Sequence, residues 1–329
     1  MTYRTRSARR LVLTAALAVL ACSSVIAQTG TPTARYKVIE LPLKPVYISG
    51  TGEVCGSTAD HRAAVWSQRR GLVLLPALPG FPESEARSSN RSGQVVGFFR
   101  SAEQSRAFVY GSGKLTLLSG ERAKALGITD AGQIVGEAIV PGAKLLSPVF
   151  WNKKTMASLG GCCGGGAKAI NRHGQMAGDV YDEKGRYRAV LWDASHKMRS
   201  LGPADRYSSA IAINDSGHVF VHGMESGLLL YLDREKVVHL PAPEQQPVDG
   251  RGLNNNDQVV GAVGPFFDAD RAFLSSQENG FRDLNELLAP DSGWNLKMAT
   301  GINDLGQIVG VGDHHGKEDV GFLLVDAKQ

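Results

Sequence analysis

The 329-residue sequence has few aromatic residues, few cysteines and no long run of one charge. Aromatic residues make up 7% of the chain and only 4 residues are cysteine, whereas 39 are glycine. Hydrophobic residues are 43% and charged residues 21%, which is typical of a globular protein and excludes a disordered chain, a collagen and a multi-span membrane protein. Abundant glycine with scarce aromatics favours short strands joined by tight turns.

The charge balance argues against a nucleic-acid or polybasic membrane binder. Four of the 36 Lys and Arg residues lie before Gln28, which leaves 32 basic residues against 32 acidic ones. Such binders need a clustered positive face, and here both signs are interspersed. We therefore expect neither nucleic acid nor a membrane surface as a partner.

The first 27 residues have the pattern of a secretory signal peptide. An apolar run at residues 11–21 ends well short of the roughly 20 residues that span a bilayer. Residues 25–27 form a small-residue cleavage site before Gln28, and the basic region before the run holds Arg4, Arg6, Arg9 and Arg10. We predict a signal peptide at 1–27, a short linker at 28–35 and one domain at 36–329, with export to the periplasm or the extracellular space.

A second interpretation of the leader involves Cys22. Residues 19–22, Val-Leu-Ala-Cys, resemble a bacterial lipobox, in which Cys22 is lipidated and becomes the mature N-terminus. We prefer cleavage before Gln28 and keep an outer-membrane lipoprotein as the alternative.

One segment recurs seven times after the leader. Its clearest copies are residues 302–310 (INDLGQIVG), 170–178, 128–136 and 89–97, and residues 253–261 have Asp257 in place of the central glycine. Residues 48–56 and 213–220 are more divergent copies. The central positions lie at 52, 93, 132, 174, 217, 257 and 306, a period near 40. A strand-rich period of this length indicates propeller blades, because common helical repeats are shorter.

The motif itself predicts a β-hairpin. Asn caps a tight turn through its side chain and Gly supplies the positive φ at its end, a conformation that Asp257 tolerates next best. Two further apolar runs follow each hairpin, as at residues 188–192 and 198–202, so each unit is predicted to have four strands. The sequence therefore predicts an all-β protein, a seven-bladed β-propeller of four-stranded blades.

The seventh unit ends before its fourth strand. Residues 38–42 (VIELP) are similar to residues 237–241 (VVHLP), the fourth run of the fifth unit. We predict that residues 36–42 form the outer strand of the last blade. This closure would join the two ends of the domain and remove an open sheet edge.

The repeat unit Ala-x-x-Ile-Asn-x-x-Gly-Gln-Ile-Val-Gly, followed by an Ala-Phe-Leu-Trp-like strand, resembles the bacterial extracellular HAF-repeat family over about residues 36–325. The resemblance implies an exported, propeller-like protein and no agreed activity, substrate or catalytic residues. The fifth unit departs from the family by lacking both the Gln and the final Gly. Where the family has His before Ala-Phe, four copies have arginine: Arg62, Arg106, Arg188 and Arg271.

Three cysteines follow the leader. Cys162 and Cys163 lie in a glycine-rich connector and could form a vicinal disulfide, which would be strained because adjacent Cα atoms are about 3.8 Å apart. Either could instead bond Cys55 or remain a thiol. Cys55 takes the Val position of a second strand, which predicts a small buried residue. No CxxC pair or histidine lies at zinc-site spacing, so we expect no metal and no cofactor.

Repeated residues and variable loops point to different roles. The recurring Asn and Gln residues and three of the four tryptophans, Trp66, Trp151 and Trp192, are predicted to be structural. Loops that join the second strand to the third, and one blade to the next, share one face of a propeller, and a convergent polar set there is the default ligand site. The candidate binding residues on these loops are Asp60, His61, Arg100, Glu137, Asp179, Tyr181, His222, Asp268, Asp313 and His314.

Several histidines have competing explanations. The run from Asp313 to His315 could supply metal or acid/base groups, although a solvated loop is the commoner case. His218 and His222 interrupt the pattern of the fifth unit. They could mark a functional site or reflect drift of the repeat, which we favour.

The chain has no Gly-x-Ser-x-Gly, His-Glu-x-x-His or P-loop motif. We therefore predict a monomeric binding or interaction module that presents its loops to an envelope or extracellular protein or glycan, with no catalytic residue assigned. The alternatives are a lyase or hydrolase acting on a saccharide or peptide, and a lipid-anchored envelope scaffold. Three or more carboxylates and histidines at the channel would favour the enzyme, and an aromatic or apolar rim would favour binding.

Overall fold

A computed structural model describes residues 34–161, 163–201, 207–223, 227–232, 236–264 and 270–328. These residues form seven four-stranded antiparallel sheets and one short 3₁₀ helix, η1 (Asn285–Leu287). Each sheet is one blade. The predicted seven-bladed propeller of four-stranded blades is therefore confirmed, and residues 34–329 form one compact unit.

In blades 1 to 6 the four strands follow one another along the chain. Blade 1 contains β2 (Lys44–Ile48), β3 (Val54–Ser57), β4 (Ala63–Ser67) and β5 (Gly71–Leu74). Blade 2 contains β6 (Glu83–Ser89), β7 (Val95–Arg100), β8 (Ser105–Gly111) and β9 (Lys114–Leu117). Blade 3 contains β10 (Glu121–Ile128), β11 (Gln133–Ile139), β12 (Ser147–Asn152) and β13 (Thr155–Ser158).

The second half of the chain repeats this order. Blade 4 contains β14 (Gly165–Ile170), β15 (Met176–Tyr181), β16 (Tyr187–Trp192) and β17 (Met198–Ser200). Blade 5 contains β18 (Ser208–Ile213), β19 (Val219–Gly223), β20 (Gly227–Tyr231) and β21 (Val237–His239). Blade 6 contains β22 (Val248–Leu253), β23 (Val259–Val263), β24 (Arg271–Ser276) and β25 (Gly280–Asp283). Blade 7 contains β26 (Trp294–Ile302), β27 (Ile308–His314), β28 (Lys317–Asp326) and, as its outer strand, β1 (Tyr36–Leu41).

The first strands of the blades, β2, β6, β10, β14, β18, β22 and β26, contact one another in a closed ring around a central channel. We call them the inner strands. The hairpin turns between inner and second strands lie at one end of the channel, which we call the turn face. The connections from second to third strands, and from one blade to the next, lie at the other end, which we call the loop face.

The repeat motif forms the hairpin turn that the sequence predicts. In blade 2 the amide of Gly93 donates to the carbonyl of Asn90 (3.0 Å), and the amide of Gln94 donates to Oδ1 of Asn90 (2.9 Å). Gly93 has φ +75°, and Asp257, which replaces the glycine in blade 6, has φ 56°. Positive φ thus explains both the recurring glycine and its substitution by Asp.

The same Asn residues also join neighbouring blades, as expected for a structural role. Nδ2 of Asn171 donates to the carbonyl of Asn214 in the next blade (3.0 Å), and Nδ2 of Asn303 donates to the carbonyl of Ser49 across the closure (3.0 Å). The equivalent bonds of Asn90, Asn214 and Asn254 complete five of these links.

Four of the five recurring Gln residues and two of the three recurring tryptophans likewise have structural partners. Oε1 of Gln94 accepts from Nδ2 of Asn90 (2.8 Å), as Oε1 of Gln175, Gln258 and Gln307 does from the Asn of its own turn. Nε1 of Trp151 and of Trp192 donates to a carbonyl at the end of the preceding blade (2.9 Å each), while Trp66 is only partly buried.

Every inner strand has a β-bulge at the same position. In blade 3 it lies between Ala125 and Gly127, and the other six inner strands show the equivalent register shift. The last glycine of the motif permits close packing near this bulge. A Cβ added at Gly136 would lie 1.9 Å from the carbonyl oxygen of Lys124. In blade 5, Val221 takes the place of this glycine, immediately before His222.

The hydrophobic core lies between adjacent blades. Between blades 6 and 7, for example, Val260 and Leu274 share a cluster with Leu296, Ile308 and Phe322, and all five are almost completely buried. Seven such clusters follow the ring. No single blade buries both of its faces alone, so the ring must close to complete the core.

The N-terminal strand closes the last blade. β1 pairs antiparallel with β28, so that Tyr36 lies opposite Asp326, Ile39 opposite Leu323 and Leu41 opposite Gly321. This confirms the predicted closure, with the strand ending at Leu41.

Candidate functional site

The inner strands and the turns at their ends surround a cavity of about 340 Å³. Seven residues, one from each blade, occupy the bulge position and reach the wall of this cavity: Val46, Arg87, Leu126, Lys168, Ile211, Arg251 and Thr300. Three of them are basic, and they come from blades 2, 4 and 6. Basic residues therefore alternate with apolar or hydroxyl residues around most of the channel.

Each of these three basic side chains is paired with a carboxylate. Arg87 Nη1 lies 2.6 Å from Oε1 of Glu85, and Arg251 Nη2 lies 2.5 Å from Oδ2 of Asp249. Lys168 pairs with Asp179, as described next. None of the three carboxylates lines the cavity, so the pairs place cations toward it and anions away from it.

Lys168, Asp179 and Ser209 form a hydrogen-bonded network that joins blades 4 and 5. Lys168 Nζ lies 2.6 Å from Oδ2 of Asp179 and 2.6 Å from Oγ of Ser209, which itself donates to the same carboxylate oxygen at 2.6 Å. The side chain of Asp179 is 5% exposed and that of Lys168 is 35% exposed. The ammonium and the hydroxyl compensate the burial of the carboxylate, because a buried charge needs both a counter-charge and hydrogen bonds.

His222 lies beside this network. It is paired across the hairpin with Ser209. Burial lowers the pKa of the imidazole. The negative charge of Asp249 raises this pKa, whereas the positive charges of Lys168 and Arg251 lower it further. Its Nδ1 is buried and has no hydrogen-bond partner among the residues that the structure describes. The imidazole is thus a neutral group with an unoccupied ring nitrogen, next to two cations and a carboxylate.

Glu137, Asp179 and His222 share one position in their blades. Each lies directly after the motif in the second strand, in the consecutive blades 3, 4 and 5. Glu137 Oε1 accepts from Nζ of Lys124 on its own inner strand (2.8 Å). Three of the predicted site residues therefore occupy equivalent places on the second strands of one sector of the ring, blades 3 to 5.

A pair of tyrosines lies on the loop face of blade 4. The hydroxyls of Tyr181 and Tyr187 are 2.5 Å apart and their ring centroids 4.3 Å apart. Burial, the hydrogen bond with Tyr187, and the charges of Asp179 and Glu137 raise the pKa of Tyr181 to about 12. Tyr181 follows Asp179 by two residues on β15, so it belongs to the same sector.

The other predicted residues are held locally on blades 1, 2 and 7. The hydroxyl of Thr58 donates to Asp60 and lowers its pKa, and His61 lies exposed in the same turn. Arg100 Nε lies 2.6 Å from Oε2 of Glu83.

On blade 7, Asp313 lies 2.9 Å from Nζ of Lys297. His314 bonds Glu40 (2.8 Å) and stacks on Trp294. Asp268 lies outside the described residues.

Local sequence pattern does not predict the inner-strand members of the site, which include Lys168, Ser209, Asp249 and Arg251. It assigns binding to the loops, whereas these residues lie within strands. One signal was present. Lys168 and Arg251 stand between two small residues, Ala or Gly, near the end of the inner strand, where four other copies carry Val, Leu, Ile or Thr and blade 2 carries Arg87. Comparing the repeats at that position would have identified a basic residue in every second blade.

The cysteines add no described site. Cys55 is fully buried in β3, as expected from its place in the repeat, and burial raises the pKa of its thiol to about 12. Cys22 and Cys162 lie outside the described residues, so neither the lipidation nor the vicinal disulfide is tested. Across the described ranges, no three His, Cys, Asp or Glu side chains are grouped so as to hold a metal ion. Nor do those ranges contain a helix with the length and apolar character that a membrane crossing requires.

No protein-family model and no curated protein matches the chain. Similar solved structures include an inactive virginiamycin B lyase from Staphylococcus aureus with quinupristin, with a TM-score of 0.60 and 10% identity over 88% of this chain and 99% of that one. A streptogramin B lyase has a TM-score of 0.58 and 11% identity over 89% and 98% of the two chains. YCF48 bound to D1 peptide has a TM-score of 0.51 and 10% identity over 89% and 95%. At such identities the similarity shows the propeller fold alone.

Proposed function

We propose that this protein is a binding propeller and that its ligand, a saccharide, docks on the loop face of blades 3 to 5. The proposal rests on the coincidence of two features on these blades. Glu137, Asp179 and His222 share one position there, beside Lys168 and Ser209. Within the described part of the chain, the exposed large apolar side chains of the loop face lie on the same three blades: Leu145 (57% exposed), Tyr187 (42%) and Tyr207 (44%).

A saccharide fits both features. Its ring C–H groups present an apolar face that packs on tyrosine, a side chain that offers a large rigid surface with few rotatable bonds. Its hydroxyls both donate and accept hydrogen bonds, and the sector supplies carboxylates, an ammonium and a serine hydroxyl. Lys124 and Glu137 form an ion pair, so the blade 3 part of the sector has no net charge, which suits a neutral ligand.

The test is a glycan-array screen of the protein, with hits quantified by isothermal titration calorimetry. Tyr187→Ala and Tyr207→Ala should each weaken binding about tenfold, because losing about 1.4 kcal/mol of contact energy corresponds to that factor. Both side chains are exposed, so the variants should fold normally. Leu74→Ala, an equally exposed apolar position on the outer strand of blade 1, is the matched control and should leave the affinity unchanged.

Two outcomes would contradict the proposal. One is equal affinity of the tyrosine variants and the wild type. The other is a screen in which peptides bind and glycans do not, which would mean that this surface binds a protein partner. The structurally similar YCF48 binds a peptide, so a peptide library belongs in the screen.

A second candidate function is catalysis, as a lyase or hydrolase. His222 supports it, because burial lowers the pKa of the imidazole and favours its neutral form, which is the form that acts as a general base. The carboxylates near it are paired with cations and would orient a substrate by accepting hydrogen bonds. The two structurally similar lyases make quinupristin a reasonable first substrate, together with the glycans that bind.

Mass spectrometry of the incubated substrates decides between binding and turnover. Turnover that falls at least about a hundredfold in His222→Gln would support catalysis, in line with the usual contribution of a general base. His239→Gln, an exposed histidine on the outer strand of the same blade, should not change it. If every substrate stayed intact, catalysis would be excluded for those substrates and only the binding function would remain.

The cellular setting is also a proposal. We propose that residues 1–27 direct export, that the mature protein acts as a monomer in the periplasm or extracellular space, and that it is an HAF-repeat protein. The repeat copies and the leader pattern support this. The mass of the mature N-terminus tests it, since a chain starting at Gln28 excludes the lipid anchor and a modified Cys22 establishes it.

A further inference from the structure

The cavity at the turn face has a wall whose charges are arranged in layers. Arg87, Lys168 and Arg251 line it, whereas their carboxylate partners do not. We call this cavity, bounded by the bulge residues and the seven hairpin turns, the turn-side chamber. It lies toward the opposite end of the channel from the loop-face surface described above, and Lys168 borders both.

The layering follows from strand register. Glu85 and Asp249 each precede their basic partner by two residues on the inner strand. Asp179 lies opposite Gly166, which in turn precedes Lys168 by two residues. Because the inner strands run toward the turn face, the backbone of each carboxylate residue lies nearer to the loop face than that of its basic partner, by up to about 6–7 Å. The charged groups of each pair are nevertheless in contact, at 2.5–2.6 Å. Because only the basic members of the pairs line the chamber, a ligand there meets the cations first.

The cations surround the chamber rather than occupying one side. They come from blades 2, 4 and 6, with the apolar side chains of Leu126 and Ile211 between them. Low-dielectric walls between like charges strengthen their combined attraction for an anion.

Donor capacity remains at two of the cations. Nε of Arg87 is buried and has no hydrogen-bond partner among the described residues. Lys168 has three N–H donors, of which Asp179 and Ser209 take two. A buried arginine N–H without an acceptor is unfavourable, so an acceptor supplied by a ligand would stabilise this arrangement.

The mouth of the chamber does not oppose an anion strongly. Three aspartates stand on its rim, and each accepts a backbone N–H from the preceding blade, as Oδ1 of Asp130 does from the amide of Arg91 (2.8 Å). Arg91 and Arg172 also lie beside two of these carboxylates, at 3.5 and 3.7 Å. The other two rim aspartates are Asp215 and Asp304. Arginine thus partly offsets the charge of Asp130 and Asp215, and Asp304 accepts from the amide and from Nδ2 of Asn255.

We propose that the turn-side chamber is a second binding site, which takes a small organic anion carrying two or more carboxylate or phosphate groups. A volume of about 340 Å³ admits such a molecule and falls at the lower end of small-ligand sites. Several anionic groups match several cations, and arginine bonds carboxylate and phosphate equally well.

Isothermal titration calorimetry with citrate and with inorganic phosphate, at constant ionic strength set with chloride, tests the site. We expect one citrate per chain and weaker binding of phosphate. Arg87→Gln and Arg251→Gln should each weaken citrate binding at least tenfold. The matched control is Arg100→Gln, on the same blade as Arg87 and also paired with a glutamate, but on the loop face. It changes the net charge equally and should leave citrate binding unchanged.

A second variant covers the case in which Arg87→Gln alone unfolds the blade. The double variant Glu85→Gln/Arg87→Gln removes both charges of the pair and preserves the net charge, and it should still lose citrate binding. The proposal is overturned if citrate does not bind, if the Arg87 variants bind it normally, or if Arg100→Gln weakens it equally. Tyr187→Ala should bind citrate normally, so failure of the loop-face function and failure of this site are distinguishable.

Discussion

His218 and Asp257, two positions at which the repeat departs from its pattern, bond each other across the junction of blades 5 and 6. Nδ1 of His218 lies 2.8 Å from Oδ1 and 3.0 Å from Oδ2 of Asp257. The same Oδ1 accepts from Nδ2 of Asn214 at 2.8 Å. In blades 2, 4, 6 and 7 that Asn bond goes to the Gln of its own turn. The carboxylate of Asp257 in blade 6 therefore takes the place of the Gln side chain that blade 5 lacks.

This arrangement explains why both substitutions occur together. At the standard junction the Gln of one blade approaches the glycine of the next, and a Cβ added at Gly217 would lie 3.0 Å from Oε1 of Gln175. Asp257 fills that space with its own oxygen, and His218 avoids placing a second acceptor there. The two changes are complementary, which drift at unrelated positions does not produce.

We predict that reversing either change alone lowers the free energy of unfolding, and that reversing both restores it. His218→Gln puts an amide oxygen against the carboxylate, and Asp257→Gly leaves His218 and Asn214 without their acceptor. Each should lower the free energy of unfolding by about 1–2 kcal/mol. The double variant recreates the standard junction and should lie within about 0.5 kcal/mol of the wild type.

Urea unfolding of the four proteins at pH 7.5 measures this coupling. Unfolding free energies that simply add in the double variant would show that the two residues act independently. A gain in stability for Asp257→Gly alone would show that relief of its positive φ outweighs the two lost hydrogen bonds.

The sequence predicts the fold well because its signals are local and repeated. The Asn-x-x-Gly turn needs only neighbouring residues, so each copy marks a hairpin by itself, and the similarity of residues 38–42 to 237–241 identifies the closing strand. The structural role of the repeated Asn residues is also confirmed, by the bond from Asn171 to the carbonyl of Asn214.

The candidate site was only partly predictable. Glu137, Asp179 and His222 were found because they differ between blades. Ser209 was missed because its contact with Lys168 joins residues 41 positions apart in different blades, a proximity that ring geometry creates and local pattern does not show. The bulge that turns Lys168 toward the channel depends on strand twist and close backbone packing, which the sequence does not state.

The closing strand gives a second prediction. Leu41 at the end of β1 is 4% exposed and shares a cluster with Leu323 of its own blade and Val54 of blade 1. Its side chain therefore bridges the two ends of the ring. Leu41→Ala should lower the free energy of unfolding by about 2–4 kcal/mol, through lost burial and the cavity left behind.

Leu74→Ala is the matched control for Leu41→Ala. Leu74 is also a leucine on the outer strand of a blade, but it is 44% exposed and belongs to blade 1 away from the junction. It should change the unfolding free energy by less than about 0.5 kcal/mol. Similar losses for both variants in urea would mean that β1 only covers an edge and does not hold the ring closed.

His222 should make the stability of the fold depend on pH. Burial lowers the pKa of His222 in the folded protein below its unfolded value, near 6.5. Below pH 6.5 the unfolded chain takes up a proton that the folded chain does not, so the unfolded state gains stability. The contribution of His222 is therefore complete above about pH 7 and is lost as pH falls through 6.5 toward the folded pKa.

Urea unfolding of the wild type and of His222→Gln between pH 8 and pH 5 checks this sign. The wild type should lose stability relative to the variant as pH falls through this window, because glutamine does not titrate. The same comparison with His239→Gln, an exposed histidine of the same blade, should give parallel curves. If the wild type instead became more stable relative to His222→Gln as pH falls, the charge of Asp249 would raise the pKa of His222 by more than burial lowers it. The imidazole would then be charged and not available as a base.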